Sequence, residues 1–222
     1  MIITIDGPAA TGKGTISARI AEKYKLAYFD TGMVYRAVGL QMLLNGDDLE
    51  NQEAALKIAQ NLTFPQMIEL SKHEDFRSDA GSHAASVVSS YADVRKALLA
   101  MQQNFAKNPV FADGSPAQGV IYDGRDTGTV VCPDADVKIF IDASPEVRAQ
   151  RRYKDYLTKG INADYNQVLA QMIERDKRDR TRSTAPLKPA EDAIILDNSH
   201  NTVEDDVAFV SALIDEKLNN KN

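Results

Sequence analysis

The chain has 222 residues, a net charge of −6 at pH 7 and one cysteine, Cys132. This length suits a single α/β domain with a sizeable core, and the acidic balance argues against broad affinity for nucleic acid or membranes. A lone cysteine excludes an intramolecular disulfide and fits a reducing cytoplasm, so we expect a cytoplasmic protein. The N-terminus is interpreted as a core strand rather than a signal peptide, and no apolar run approaches the roughly 20 residues of a membrane span.

Short apolar runs alternate with helical patterns along the chain. The runs predict strands at Ile2–Ile5, Leu26–Phe29, Gly119–Tyr122, Val137–Ile141 and Ala193–Leu196. The clearest helical periodicities lie at Arg19–Lys25, Val34–Leu44, Ala54–Asn61, Val94–Phe105, Pro145–Lys159, Asn166–Arg180 and Val203–Leu218. Buried strands separated by helices predict an α/β fold with a parallel five-stranded sheet flanked by helices.

Two segments interrupt this alternation. Thr63–Leu70 and the polar, turn-rich Ser71–Gly81 predict a small insertion, near residues 62–90, with a short β-element. The segment from Lys107 to Gln118 contains two prolines and a glycine, which indicates a loop.

The most informative motif follows the first predicted strand. It consists of Gly7, Pro8, Ala9, Ala10, Thr11, Gly12, Lys13, Gly14 and Thr15. Glycines let successive N–H groups face phosphate oxygens, a lysine reaches the outer phosphates, and a following helix presents its N-terminus to the anion. The sequence therefore predicts a phosphate-binding loop, against the alternative of a glycine-rich turn that binds nothing.

The loop departs from the strict motif at one position. Gly14 follows Lys13 where the strict form has a hydroxyl that ligates Mg²⁺, and the hydroxyl comes one residue later at Thr15. We therefore expect Thr15 to bond a phosphate oxygen, with Mg²⁺ held mainly by nucleotide and water, and leave the protein ligands of the metal open. The order Gly-Lys-Gly-Thr resembles that of nucleoside monophosphate kinases.

Charged residues also follow the second and third predicted strands. Thr31 and Arg36 come after the second strand, where ligands of open α/β sheets bind; the alternative is a helix cap by Asp30 or Thr31 with a surface arginine. The third strand ends at Asp123, placed to contact Mg²⁺ or its waters, and continues with Arg125 and Asp126. The alternative there is a turn with a surface ion pair.

A helical segment near the C-terminus is rich in arginine. Arg175, Asp179 and Arg182 share one helical face by their spacing, which suits an anionic ligand; a solvated, alternately charged helix is the alternative. Arginines also gather at 148, 151 and 152, which hints at a local anionic partner. Cys132 is interpreted as a small residue near a strand end, and the three histidines show no metal-ligand spacing.

Taken together, these motifs resemble the bacterial cytidylate kinases over most of the chain. The likeness includes the phosphate loop, Asp30-Thr31-Gly32 with Tyr35-Arg36, Ala84-Ala85-Ser86, Val94-Arg95, Asp123-Gly124-Arg125-Asp126, and Arg175 through Arg182 with Ala185-Pro186-Leu187. It implies one P-loop kinase domain over residues 1–222. Gln103, where arginine is expected, and the longer loop at 107–118 depart from the pattern.

The resemblance also implies the ligands and their contacts. ATP would be the donor with Mg²⁺, CMP and dCMP the acceptors, and Lys13, Arg125 and Arg182 the catalytic residues. It implies that cytosine is read by Ser86, Arg95 and Asp126, that the acceptor phosphate is held by Arg36, Arg125 and Arg182, and that the ribose is held by Arg175 and Asp179, with Thr31 also in the acceptor site.

Three further expectations complete this interpretation. Residues 148–165 would form a lid with Gly160 as its hinge. A monomer is favoured. The alternatives are a kinase of the same fold for another nucleoside monophosphate, such as UMP or AMP, and an ATP-binding regulatory module, which would need no second arginine-rich site.

Overall fold

A parallel sheet organises the fold. In the computed structural model it contains five strands: Ile2–Asp6 (β1), Ala27–Asp30 (β2), Val120–Gly124 (β3), Val137–Asp142 (β4) and Ile194–Asp197 (β5). Their order is β2-β3-β1-β4-β5. Ile5 of β1 pairs with Asp123 on one side and Ile139 on the other, so the carboxyl ends of the central strands reach the same edge. The predicted sheet is confirmed, with strand ends shifted by one or two residues.

Nine α-helices occur within the described residues, 1–220. They are Lys13–Tyr24 (α1), Gly32–Asn45 (α2), Gln52–Asn61 (α3), Phe64–Leu70 (α4), Asp79–Val88 (α5), Ala92–Lys107 (α6), Pro145–Thr158 (α7), Tyr165–Thr181 (α8) and Val203–Asn219 (α9). All the predicted helices are present. Helix α1 begins earlier than the predicted Arg19, because its first turn continues directly from the phosphate loop.

The described residues fall into two compact units. The sheet unit comprises Met1–Phe29, Asn108–Thr181 and the described chain from Ala185 onward. The helical unit comprises Asp30–Lys107 together with Arg182–Thr184.

The core of the sheet unit lies between the central strands and two helices. Ile16 and Ile20 of α1, and Val210 and Ile214 of α9, are buried in one apolar cluster with the isoleucines of β1 and β4. Burial of these branched side chains is the main stabilising contribution to this unit. Ser144 caps α7 as its position before Pro145 indicates, with its hydroxyl accepting the Val147 N–H at 3.3 Å.

The helical unit contains α2 to α6 and a 3₁₀ turn at Glu74–Arg77. The predicted short β-element is wrong, because Phe64–Leu70 forms helix α4 instead. Its first turn carries a capping box, in which Thr63 accepts the Gln66 N–H while the Gln66 side chain accepts the Thr63 N–H, and Pro65 favours the helical start. Stacking of Phe64 on Phe105, with ring centroids 5.8 Å apart, joins this helix to α6.

The segment between α6 and β3 is a loop, as predicted, with one isolated bridge between Val110 and Pro116. Within the described residues, 1–220, none of the helices combines the length and apolar character that crossing a membrane requires.

Candidate active site

The phosphate loop runs from β1 into α1 in the sheet unit, as the motif predicts. Gly7 has a φ of +149°, and a Cβ there would lie 2.0 Å from the Ile141 carbonyl oxygen, so only glycine fits beside β4. Gly12 adopts a left-handed conformation at the N-cap of α1. The loop therefore ends at a helix N-terminus, which is a favourable place for a phosphate.

Lys13 lies folded back on this loop. Its side chain is buried, and Nζ donates to the Pro8 carbonyl at 2.7 Å and to Thr11 Oγ1 at 3.3 Å. Burial lowers the pKa of Lys13 to about 7, helped by the positive charges of Arg125 and Arg175 and opposed by Asp123 and Asp6. A polyanion bound to the loop would reverse this balance by stabilising the charged lysine.

The structure explains the glycine that departs from the strict motif. Asp123, buried at the end of β3, accepts a hydrogen bond from the Tyr28 hydroxyl at 3.3 Å. A Cβ on Gly14 would lie 3.3 Å from Asp123 Oδ2 and 3.5 Å from the Tyr28 hydroxyl. A side chain at position 14 would require the Asp123 carboxylate to shift by a few tenths of an ångström, whereas glycine fits beside it without any adjustment.

Arg125 and Asp179, predicted from separate motifs, are brought together in the sheet unit. Arg125 Nε donates to Asp179 Oδ2 at 3.1 Å, and the side chain of Asp179 is nearly fully buried. The positive charges of Arg125 and Arg175 both act on Lys13. Asp126 is also buried, directly before a single π-helical turn at Thr127–Val131. The alternative of a surface ion pair at the end of β3 is therefore wrong.

Arg182 does not share a helical face with Arg175 and Asp179, so that prediction is wrong. Helix α8 ends at Thr181, and Arg182 belongs to the helical unit. The Asp179 carbonyl oxygen accepts the N–H of Leu187 at 2.8 Å, a contact that replaces the bond a continuing helix would make.

In the helical unit, Thr31 is the N-cap residue of α2, and the Asp30 carboxylate accepts the Gly32 N–H at 2.9 Å. Arg36, in the second turn of this helix, donates to the Phe76 carbonyl and to Ser82 Oγ, both at 3.0 Å. The helix cap in the alternative interpretation is therefore confirmed, but Arg36 is half-buried, and its guanidinium is held in a defined position.

Ser86 and Arg95 lie close together in the same unit. Ser89 connects them, because its hydroxyl donates to the Ser86 carbonyl at 3.0 Å and its carbonyl accepts from Arg95 Nη1 at 3.1 Å. Arg95 is buried, with its guanidinium 5.0 Å from the ring centroid of Tyr35. The Ser86 hydroxyl is buried, and among the described residues it has no hydrogen-bond partner. Without the resemblance, the sequence would favour a surface arginine at position 95, and the burial of Arg95 contradicts that interpretation.

Sequence reasoning missed several polar residues around the loop. Asp6, at the end of β1, accepts from the Thr127 N–H at 2.9 Å and the Gly128 N–H at 2.8 Å. Burial raises the pKa of Asp6, as does Asp126, while these hydrogen bonds oppose the shift. Arg148 was grouped with arginines expected to meet an anionic partner, but it is fully buried against Asp176. No local motif marks these contacts.

Two other sequence-based interpretations concern metals and nucleophiles. Burial raises the pKa of the Cys132 thiol to about 11, so this residue is a poor nucleophile. Within residues 1–220, no cluster of three or more histidine, cysteine, aspartate or glutamate side chains could hold a metal ion. The lid over residues 148–165 stays a prediction; Gly160 adopts a φ of +71° just after α7 ends.

Comparisons with known proteins show which family this chain belongs to. The chain is 47% identical over 206 residues to a cytidylate kinase of Rhodopseudomonas palustris (strain ATCC BAA-98 / CGA009), covering 92% of this chain and 91% of the relative. It is 45% identical over 214 residues to a cytidylate kinase of Methylocella silvestris, covering 96% and 93%. An uncharacterised protein from Eubacterium ventriosum shares the fold, with a TM-score of 0.52 and 12% identity over 97% of this chain and 98% of that one. The family model for cytidylate kinase matches residues 3–216, and the chain belongs to the cytidylate kinase family.

Proposed function

We propose that this protein transfers the γ-phosphate of ATP to CMP, and also to dCMP, giving ADP together with CDP or dCDP. The observation that carries the proposal is the likeness, over nearly the whole chain, to proteins named cytidylate kinase. The phosphate loop with its buried lysine supports the donor half of the reaction.

The donor is assigned to the loop from Gly7 to Thr15. Backbone N–H groups of this loop and the N-terminus of α1 would hold the phosphates. Lys13 would leave the Pro8 carbonyl and donate to the transferring phosphate, where its charge stabilises the transition state. Replacing this lysine would therefore lower the rate of turnover strongly, with only a small effect on the free energy of unfolding.

Mg²⁺ is part of the proposed reaction, in which it neutralises phosphate charge. Asp123 is the residue that we assign to the metal or its waters, because carboxylate oxygens suit Mg²⁺ and this one faces the first turn of α1. The phosphates of ATP and water would supply the remaining ligands of the metal.

Recognition of cytosine is assigned by chemistry. In the helical unit, the Ser86 hydroxyl and the Arg95 guanidinium can donate to the N3 and O2 acceptors of the base. Burial of a hydroxyl that has no partner among residues 1–220 supports a ligand contact, because such groups are rarely left unsatisfied. In the sheet unit, the buried Asp126 carboxylate would accept from the N4 amino group, which uracil lacks.

The other acceptor contacts follow the family pattern. Arg36, Arg125 and Arg182 are assigned to the acceptor phosphate, because a planar guanidinium donates two parallel bonds to a phosphate. Arg175 and Asp179 are assigned to the ribose, and Thr31 to the acceptor site. Hydrogen bonds to the Phe76 carbonyl and Ser82 already orient Arg36, which lowers the entropy lost on binding.

The proposed chemistry needs no strong general base, because the acceptor phosphate oxygen is already anionic at neutral pH. Alignment of the two phosphates and neutralisation of their charge would supply most of the rate enhancement. Water must be excluded during transfer, and we assign this task to closure of the lid predicted near residues 148–165, with the buried Arg148 as its fixed end.

A comparison of acceptors tests the proposal. ADP release from Mg·ATP would be followed with CMP, dCMP, UMP, AMP and GMP supplied separately. We expect high turnover with CMP and dCMP, lower turnover with UMP, and little with the purines. Preference for a purine would retain the kinase activity but contradict the roles of Ser86, Arg95 and Asp126. ATP binding without turnover of any acceptor would favour a regulatory module.

A further inference from the structure

The phosphate loop contains a strained residue. Ala10 adopts a φ of +62°, a left-handed conformation that L-amino acids with a Cβ seldom occupy. Such a conformation persists only where surrounding contacts enforce it. The carbonyl groups on either side of Ala10 belong to Ala9 and Thr11, and each accepts a hydrogen bond from a distant part of the sheet unit.

The first contact comes from Arg148 in α7. Its side chain is 1% exposed, and Nη1 donates to the Ala9 carbonyl at 3.3 Å. Nε donates to the Ala143 carbonyl at 2.9 Å, and Nη1 also donates to Asp176 Oδ1 at 3.1 Å, while Nη2 donates to Oδ2 of the same carboxylate. The guanidinium is thus fixed from three sides, and its charge is balanced without any contact from bulk water.

The second contact comes from Asn198, directly after β5. Its Nδ2 donates to the Thr11 carbonyl at 2.8 Å and to Asp206 Oδ2 at 2.7 Å. Arg151 donates to Asn198 Oδ1 at 3.1 Å and to its backbone oxygen at 2.6 Å. Because an amide oxygen cannot donate, the three contacts of the side-chain amide determine which way it faces.

We propose that Arg148 and Asn198 are positioning residues that hold the phosphate loop in its ATP-binding conformation. Both act through the loop backbone. By engaging the carbonyl oxygens of Ala9 and Thr11, they stabilise the left-handed turn at Ala10 and leave the N–H groups of the loop to the phosphates. The inference rests on the proposed function only for the identity of the donor as ATP.

The position of these contacts supports a role beyond packing. A buried arginine–carboxylate pair can be replaced by apolar side chains of similar volume without loss of stability. If the pair of Arg148 and Asp176 only stabilised the fold, a hydrogen bond to the phosphate loop would not be needed. Arg148 nevertheless donates one hydrogen bond to the Ala9 carbonyl. Asn198 likewise joins the loop to the N-terminal turn of α9 through Asp206.

Three variants test the proposal. The double variant Arg148→Met with Asp176→Leu removes the first contact and leaves no unpaired buried charge. Asn198→Leu removes the second contact, while Asp206 keeps its hydrogen bond from Asn201. Arg148→Lys is the conservative variant, since a lysine can reach one acceptor but lacks the planar fork. The matched control is Arg19→Gln, which removes an exposed ion pair between α1 and Glu204 without touching the loop.

The measurements are the Kd for ATP by calorimetry and the kcat and KM values for ATP and CMP. We expect the double variant and Asn198→Leu to raise the Kd and KM for ATP about ten- to a hundredfold and to lower kcat, as loss of an ordering hydrogen bond predicts. The KM for CMP should stay within about twofold, and Arg148→Lys should lie in between. Arg19→Gln should match the wild type.

A purely structural role would give a different pattern. Destabilisation leaves fewer active molecules, which lowers the apparent kcat while both KM values stay unchanged. Unchanged ATP affinity in a folded double variant or in Asn198→Leu would overturn the proposal, as would an equal rise in both KM values. If the double variant does not fold, Arg148→Lys and Asn198→Leu decide the question. Calorimetry needs no acceptor, so this test stands even if CMP is not the substrate.

Discussion

The position of Lys13 predicts that ATP binding weakens as the pH rises above 7. Burial, reinforced by Arg125 and Arg175, lowers the pKa of this lysine to about 7 in the nucleotide-free protein. Bound phosphates favour the charged lysine and raise its pKa again. The bound state therefore holds a proton that the free state has lost above pH 7, so binding must take up a proton in that range.

The size of the effect follows from this pKa. With a pKa of about 7, about one Lys13 in ten is protonated at pH 8 and about one in a hundred at pH 9. If only the charged lysine binds phosphate tightly, the Kd for ATP should rise about tenfold per pH unit above 7 and level off below pH 6.

Calorimetry with Mg·ATP from pH 6 to 9, in buffers of different ionisation enthalpy, measures both the affinity and the proton uptake. Lys13→Arg is the matched control, because arginine stays charged throughout this range. The control should bind ATP with little pH dependence beyond that of the nucleotide itself. Equal slopes for the wild type and the control, or no proton uptake by the wild type at pH 8.5, would refute the reasoning.

Three further predictions concern the acceptor base and the edge of the sheet. Asp126→Ala should reduce the preference for CMP over UMP by about 1–3 kcal/mol in kcat/KM while ATP affinity is kept, and equal losses for both acceptors would contradict the assignment. Ser86→Ala should raise the KM for CMP about three- to tenfold. The free energy of unfolding should change by less than about 0.5 kcal/mol, because a hydroxyl without a partner among residues 1–220 adds nothing to folding. An unchanged KM for CMP in steady-state titrations would exclude Ser86 from the acceptor site. Asp6→Ala should lower the free energy of unfolding, measured by urea denaturation, by about 2–4 kcal/mol, because the Thr127 and Gly128 N–H groups lose their acceptor. A change below about 1 kcal/mol would show that these N–H groups find other partners.

The features that the sequence predicted correctly are those encoded locally. Strands were predictable because each is a short apolar run, and the loop because Gly7, Gly12 and Lys13 stand close together after a strand. Helix α4 was missed although Thr63 and Gln66 form a capping box there, a local signal that could have identified it.

The features that the sequence did not predict depend on contacts between distant residues. Arg148 reaches Ala9 across 139 positions of the chain, and Asn198 reaches Thr11 across 187. The end of α8 before Arg182 coincides with the carbonyl contact of Asp179 with Leu187, which no helical periodicity reveals. Such pairings are set by the three-dimensional fold, so a pattern along the chain gives no signal for them.

The roles of Ser86 and Arg95 came from resemblance alone. Without the resemblance, these positions favour an ordinary helical serine and a surface arginine, whereas the structure buries both side chains. Burial of these two polar side chains in α5 and α6 is uncommon for such residues, and neither composition nor periodicity predicts it.

The most direct measurement is to follow the phosphate itself. The protein would be incubated with Mg·ATP labelled with ³²P at the γ position and with CMP, and the labelled product would be identified by chromatography. The proposal predicts that the label appears in CDP, in an amount equal to the ADP formed. Label released as inorganic phosphate, or retained in ATP while CMP is unchanged, would contradict phosphoryl transfer to CMP.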